Sequence, residues 1–336
     1  MARAPVVVIG ASAGGVEALS QLVAGLHPDL PAAVCVVLHL SPHSPSALPE
    51  ILGRAGPLPA HQATDGERAR PGHLYVAPPD HHLLLDGERL AVTRGPKESR
   101  FRPAVDALFR SAAHTRGSGV IGVVLSGSMD DGASGLWNIK RQGGVAVVQA
   151  PGDAAFDAMP RAALEQVAVD HVARAAALGP LLSHLVLTHP PEVPMPDPLT
   201  DDERARLELE VRLARQGPAS PHDVSALGPY SAFTCPECHG AMVQIEEGGA
   251  LRFRCHTGHA YTAPVLLSEL SRAIEDQLYQ TRRAMDEGIL LLERLGQRLP
   301  GPQAQALLSQ AQAVQARANV LRDLALSHAP LDEDVP

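Results

Sequence analysis

Val6-Val7-Val8-Ile9-Gly10-Ala11-Ser12-Ala13-Gly14-Gly15 sets the reading of everything after it. Four consecutive β-prone apolar residues closed by glycine predict a strand buried on both faces, as in a parallel sheet. The apolar positions of the next residues, Val16, Leu19, Leu22 and Val23, recur at helical spacing, so the glycines mark a strand handing over to a helix N-terminus. Two chemistries use such a turn. A dinucleotide site requires G-x-G-x-x-G and an acidic residue about 20 positions on, to hold the ribose hydroxyls. This chain has neither, and its second apolar run, Ala33 to Leu38, ends in His39. The turn instead reads Gly10-x-Ser12-x-Gly14, the spacing of a nucleophile elbow, which makes Ser12 a candidate nucleophile. An ordinary helix N-cap would use the same residue.

Outward from that turn, strand-like and helix-like stretches alternate to about Leu187. The expected fold is therefore a doubly wound α/β domain, with a mostly parallel sheet of roughly seven strands and helices on both faces. His73–Ala77 reads as a strand, His82–Val92 as a hairpin turning at Asp86-Gly87, and Ala104–Ala113 as a helix. Gly119–Gly127 reads as a buried strand running into Ser128-Met129-Asp130-Asp131-Gly132, followed by a helix over Ala133–Arg141. Val145–Gln149 and Val167–Val172 complete the set. Ligands of open α/β sheets bind at the carboxyl ends of strands, and three of these ends carry a serine, a histidine and an aspartate pair. If they converge, His39 would take the Ser12 proton, Asp131 would orient the imidazole, and backbone N–H groups near Ala13 would meet the oxyanion. The competing readings are a structural histidine at 39 and a helix cap at 131.

Composition narrows the function classes. The chain has 336 residues, 45% of them hydrophobic and 3% aromatic, with a formal net charge of −9. Phosphate binding needs an excess of Lys and Arg, so a nucleic-acid surface is not expected. No apolar run approaches the roughly 20 residues of a membrane span, and the expected location is the cytoplasm.

Ile9–Gly15, Leu38-His39-Leu40-Ser41-Pro42, Val76–His82, Arg102–Asp106, Leu125–Gly132 and Met159–Ala163 resemble, in order, the motifs of the CheB-type chemotaxis methylesterase catalytic domain. The resemblance implies a protein-glutamate methylesterase, some members of that family also acting as protein-glutamine glutaminases. It implies a methylated chemoreceptor or receptor-like protein as partner, and Ser12, His39 and Asp131 as the Ser-His-Asp triad. Asp131 takes the acid role over Asp130 because the family's acid directly precedes the glycine, here Gly132. Ala13 departs from the hydroxyl residue common after the nucleophile, and Ser128-Met129 from the common Met-Gly. Full-length chemotaxis enzymes also carry an N-terminal receiver domain. This chain starts at the first catalytic strand, so phosphorylation in cis is not expected. The alternative from another class is a catalytically silent signalling scaffold whose pocket binds a modified protein without turning it over.

Beyond residue 187 the composition changes. His189–Pro198 is proline-rich and reads as a semi-rigid linker; Asp201–Gln216, with acids first and arginines last, reads as a solvated connector helix. Cys235-Pro236-Glu237-Cys238, sixteen residues, then Cys255-His256-Thr257-Gly258-His259 has the spacing of a zinc ribbon. Its expected ligands are Cys235, Cys238, Cys255 and His259, with His239 and His256 as competing fourth ligands. A closed four-ligand shell implies a structural Zn2+ that catalysis does not need. Two helical stripes, from Leu267 to Leu299 and from Leu307 to Ala325, flank Pro300-Gly301-Pro302 and predict a helical hairpin. The hairpin is also the candidate surface for a homo-oligomer. The expected divisions are 1–187 for the hydrolase domain, 188–228 for linker and charged helix, 229–262 for the ribbon and 263–328 for the hairpin. Chemistry is expected in the first, and partner choice or gating in the C-terminal module.

Overall fold

A computed structural model of the chain describes residues 4–40, 42, 46–188, 199–218, 220–328 and 330–331. The proline-rich linker at 189–198 and the acidic tail at 332–334 lie outside the described residues. The chain divides into two units, residues 1–263 and 264–336.

The first half of the α/β region runs β1 (Val6–Ala11), α1 (Gly15–Ala24), β2 (Ala33–Leu38), α2 (Leu48–Ala55), β3 (Ala60–Gln62), β4 (Leu74–Val76), β5 (His82–Asp86), β6 (Arg89–Thr93) and α3 (Val105–Arg116). It continues with β7 (Val120–Val124), α4 (Ala133–Arg141), β8 (Val145–Gln149), α5 (Ala158–Gln166), β9 (His171–Ala173) and α6 (Ala175–Thr188). Seven strands form one parallel sheet in the order β3-β4-β2-β1-β7-β8-β9. Alternate residues of β1 serve two cores. Val7, Ile9 and Ala11 pack with Leu19, Leu22, Leu52 and Leu182 on one side. Val6 and Val8 pack with Leu108, Phe109, Leu136 and Met159 on the other. That division explains the uninterrupted apolar runs, because neither face of such a strand meets water.

Two details of the sheet differ from the sequence reading. The hairpin β5–β6 forms its own two-stranded sheet, and the short strand β3, whose residues are half-buried or exposed and show no apolar run, takes the edge place. The last strand occupies His171–Ala173, not Val167–Val172, because α5 extends to Gln166 and Val167 caps it.

The rest of the first unit is α7 (Asp201–Gln216), α8 (Pro221–Ser225) and an antiparallel ribbon of β10 (Tyr230–Thr234), β11 (Ala241–Glu247), β12 (Ala250–Cys255) and β13 (Ala260–Thr262). α7 begins with a capping box formed by Thr200 and Glu203. It is not a solvated connector, however. Leu207, Glu210, Leu213 and Ala214 are buried, and Ala214 packs with Leu84, Ala91, Ala104 and Ala107 of the hairpin and α3. α3 is thereby enclosed on every side, and all its residues from Val105 to Ala113 are buried.

Enclosure forces α3's charges to find partners inside. Arg110 pairs with Glu98 and lies 3.8 Å from Glu210. Arg252 reaches Glu210 and Glu247 at 2.8 Å each, and Arg254 reaches Glu98 at 2.9 Å and Glu210 at 3.1 Å. Burial alone would raise the Glu210 carboxyl, but Arg252, Arg110 and Arg254 hold it down at about 2. Glu98 is likewise held well below the carboxylate range by Arg110 and Arg254, against its burial.

The second unit is a helical hairpin, α9 (Ala263–Gly296) and α10 (Pro302–Ser327). Ile289, Ala311 and Ala318 form its buried seam, with Met285, Leu292 and Val314 against it. Leu290, Leu291, Leu324 and Leu326 remain exposed. Among the described residues no helix is long and apolar enough to cross a membrane.

Candidate active site

β1 is the strand at which the winding reverses, with β2 on one side and β7 on the other, and a crevice opens where neighbouring connections leave in opposite directions. The register pairs Ala11 with Leu38, so Ser12 and His39 step off the sheet side by side. Backbone bonds fix both: Ser12 N–H donates to Ser126 O at 2.9 Å, and His39 N–H to Ala11 O at 3.2 Å. Ser12 does not cap α1. That place falls to Gly14, whose φ of 70° is a left-handed conformation glycine adopts without a Cβ clash.

His39 Nδ1 lies 3.2 Å from Ser12 Oγ, and Nε2 lies 2.7 Å from Asp131 Oδ2. One neutral tautomer serves both contacts, with Nε2–H donating to the carboxylate and Nδ1 accepting from the hydroxyl. The sequence readings of Ser12, His39 and Asp131 thus land in one connected group, whose His39 and Asp131 side chains are 3% and 2% exposed.

Asp131 is also a cap, but of α3 instead of the helix that follows it in sequence. Its Oδ2 accepts from Val105 N at 2.7 Å and its Oδ1 from Asp106 N at 3.0 Å, which places a negative charge on the N-terminus of α3. Asp106 lies beneath it and accepts from Gly132 N at 3.0 Å and Gly135 N at 2.7 Å. Burial first, then the neighbouring Asp131, push the Asp106 carboxyl well above its ordinary range. Asp130 turns away from His39. Its Oδ1 accepts from Thr262 Oγ1 at 2.9 Å, its Oδ2 is buried with no partner among the described residues, and burial raises it to about 6.

Several positioning groups have no role in the sequence reading. The Phe101 ring stacks on His39 with centroids 3.6 Å apart and planes 5° from parallel. Ser126 donates from Oγ to Ala13 O at 2.8 Å, bracing the nucleophile turn from the next strand. Gly127 passes so close that a Cβ there would lie 2.8 Å from Ser12 Cβ. Each acts across the fold, between residues distant in sequence, so no local pattern announces it. An open cleft of about 560 Å³ lies over Ser12, Ala13 and His39, with Lys97, Arg100 and Arg102 along its wall.

In the ribbon, one ligand atom from each of Cys235, Cys238, Cys255 and His259 lies within 4.8 Å of the others. Cys238 Sγ is 3.5 Å from Cys255 Sγ, and His259 Nδ1 is 3.7 Å from both Cys235 Sγ and Cys255 Sγ. Ligands at about 2.3 Å (S) and about 2.0 Å (N) on a tetrahedral ion stand roughly 3.5–3.8 Å apart, so the donor set fits a metal of that kind. His239 and His256, the competing ligands, are exposed and outside the cluster.

The family model for the CheB methylesterase matches residues 7–182, which excludes the ribbon and the hairpin. A protein-glutamate methylesterase/protein-glutamine glutaminase of Anaeromyxobacter dehalogenans is 43% identical over 163 residues, covering 48% of this chain and 48% of that protein. A putative protein of the same description from Leptospira interrogans is 36% identical over 167 residues, covering 49% of this chain and 86% of that one. Among solved structures, the CheB methylesterase catalytic domain of Thermotoga maritima matches with a TM-score of 0.52 at 30% identity, over 55% of this chain and 99% of that one. The chain spans about half the length of the Anaeromyxobacter and Geobacter relatives it matches. With more than half its residues matched by that family model, and its sheet matched by a solved member's, this chain belongs to the CheB methylesterase family.

Proposed function

We propose that the chain is a serine hydrolase that cleaves glutamate methyl esters, and deamidates glutamine, on methylated chemoreceptor-like proteins in the cytoplasm. The observation that carries this reading is the unbroken line of contacts from Ser12 through His39 to Asp131 at the floor of an open cleft. In the first half-reaction Ser12 Oγ attacks the ester carbonyl while His39 Nδ1 takes the hydroxyl proton. The imidazolium so formed is stabilised by Asp131, whose charge is shared with the Val105 and Asp106 amides. The tetrahedral oxyanion meets the Ala13 N–H in the elbow turn, and His39 returns the proton to the departing methanol. Water then attacks the Ser12 ester with His39 again as base, which releases the glutamate carboxylate and restores Ser12. Lys97, Arg100 and Arg102 line the cleft wall, Arg102 paired there with Asp80.

Under the same reading, residues 1–187 carry the chemistry. Cys235, Cys238, Cys255 and His259 hold a zinc ion, which when bound supplies structure, since four protein ligands leave no open position. The exposed leucines of the hairpin offer a surface to a second copy of the chain. The test is methanol release from a methylated receptor fragment by the full chain beside Ser12→Ala. Release by wild type and none by the variant supports the reading. Equal release by the two would overturn it.

A further inference from the structure

The turn that carries Phe101 belongs to the loop between β6 and α3, and the loop's base is well anchored. His82 holds both ends, with Nε2 donating to Pro96 O at 2.9 Å and Nδ1 accepting from Ala104 N at 3.3 Å. Arg102 is forked onto Asp80 at 3.0 and 2.6 Å. The tip is different. Ser99 and Arg100 have φ of 46° and 73°, a left-handed pair of non-glycine residues that persists only where the surroundings over-determine it.

Those surroundings are the metal-ligand ribbon. Ser99 N–H donates to Ala260 O at 2.7 Å, and Ala260 N–H donates to Lys97 O at 3.2 Å, so the turn extends the edge of β13. Ala260 directly follows the ligand His259. Arg254, which directly precedes the ligand Cys255, donates to Glu98 at 2.9 Å and to Gly258 O at 2.8 Å. Glu237, between the ligands Cys235 and Cys238, lies 3.6 Å from Lys97 Nζ. Gly258 presses so closely on Pro96 that a Cβ there would be 2.6 Å from its Cγ. Apart from the Arg110–Glu98 pair and the backbone bonds between Glu98 and Phe101, these contacts on the turn come from residues beside or between cluster ligands.

We propose that the Cys3His cluster is a metal-dependent positioning element of the hydrolase site. With its metal bound, the ribbon holds residues 97–101 in the strained turn, and Phe101 backs His39 in the orientation that reaches Ser12 and Asp131 together. With the metal gone, the two knuckles lose their closure, the turn relaxes, and His39 loses its flat support while all three reacting groups stay in the chain. Phe101 and Glu98 are positioning residues in this scheme. The proposal rests on the esterase reading and adds to it a dependence on metal occupancy.

The test uses the full chain loaded with Zn2+, the same chain stripped by a chelator, and the stripped chain reloaded. Amide hydrogen exchange at Ser99 and Phe101 reports the turn, labelling of Ser12 by a fluorophosphonate reports the nucleophile, and hydrolysis of a small methyl ester reports turnover. Stripping should speed exchange over 97–101 at least tenfold and lower kcat and Ser12 labelling at least tenfold, with Zn2+ restoring all three. In the loaded chain, Phe101→Tyr should keep kcat within threefold, while Phe101→Leu, similar in bulk but without the flat face, should lose at least tenfold at unchanged metal content. A stripped chain that keeps the turn protected, or hydrolyses the ester within twofold of the loaded one, overturns the inference alone. So does Phe101→Leu with wild-type kcat. A loaded chain that neither labels at Ser12 nor hydrolyses any ester overturns the esterase reading, and this inference with it.

Discussion

Replacing Glu210 by glutamine tests the buried charge network at its centre. The side chain keeps its shape and loses its charge, which leaves Arg110, Arg252 and Arg254 facing Glu98, Glu247 and, 3.8 Å from Arg110, an Asp106 whose carboxyl is pushed up by burial. Three guanidiniums then stand against Glu98, Glu247 and the raised Asp106 in a region whose members, Glu247 apart, are at most 4% exposed on their side chains. Breaking a buried pair by removing one partner costs about 3–5 kcal/mol. The titration of Glu210 gives a similar figure by another route. A carboxyl moved from 4.5 to about 2 by its surroundings stabilises the fold by about 3 kcal/mol near neutral pH. At roughly 2–4 °C per kcal/mol for a unit of this size, Glu210→Gln should melt roughly 6–20 °C below wild type at pH 7. The pH dependence has a definite sign. Because the folded-state value is depressed, the advantage of the wild type is fully present above about 4.5 and is lost as the pH falls toward 2. The assay is thermal unfolding of the Zn2+-loaded chain by far-ultraviolet circular dichroism at both ends of that window. A drop of under 2 °C at pH 7, or a gap that does not narrow in acid, would refute the assignment of a net stabilising role to this carboxylate.

Other perturbations read other parts of the site. Asp131→Asn removes the partner of His39 Nε2 and should lower esterase kcat by about 10^4, whereas Asp130→Asn, bonded to Thr262 instead, should stay within about tenfold. The reverse ranking would mean the wrong aspartate has been assigned. Asp130 also predicts a stability trend, since its folded-state value is raised from 3.8 to about 6. Its contribution is complete below 3.8 and lost as the pH rises through 6, so wild type should lose about 3 kcal/mol between pH 4 and 7 that Asp130→Asn does not lose. Parallel urea-unfolding curves for the two proteins over that range would contradict this. Gly127→Ala would set a Cβ 2.0 Å from Met159 Sδ and 2.8 Å from Ser12 Cβ. The relief of that clash should move Ser12 and lower kcat by roughly 10^2, and an alanine variant with wild-type kcat would show that the nucleophile is not confined there.

Much of the fold could be read locally because its information is local. The runs at Val6, Ala33, Val120 and Val145 are continuous and apolar because the sheet is covered on both faces, and the glycines at 10 and 14 mark where the first strand hands over to its turn. Spacing pointed to Cys235, Cys238 and Cys255 and left His239 and His256 competing with the favoured His259, which the structure groups with the three cysteines. What stayed hidden depends on contacts between distant segments. β3 has too few apolar residues to signal its edge place, and the charged face of α7 concealed that Glu210 points inward to two ribbon arginines. Ser12 and Asp131 each had a plain capping alternative. Only the positions of Gly14 and Gly132 as the actual caps, and of α3's N-terminus over Asp131, resolve the ambiguity.

The ionic network draws its members from the 97–101 turn, α3, α7 and β12, segments as far apart in sequence as Glu98 and Arg254. Its charges work as a lock with its key cut into a different part of the gene. A ribbon exchanged for that of a relative would have to bring arginines matched to Glu98 and Glu210, and a chain cut at residue 187 would leave Glu98 with Arg110 alone among the network's three arginines, and Arg110 without Glu210. Recombination can add or remove a module freely where the seam is apolar and forgiving. Here the seam is written in opposite charges, so the hydrolase sheet and the ribbon are constrained to be inherited, engineered and replaced together.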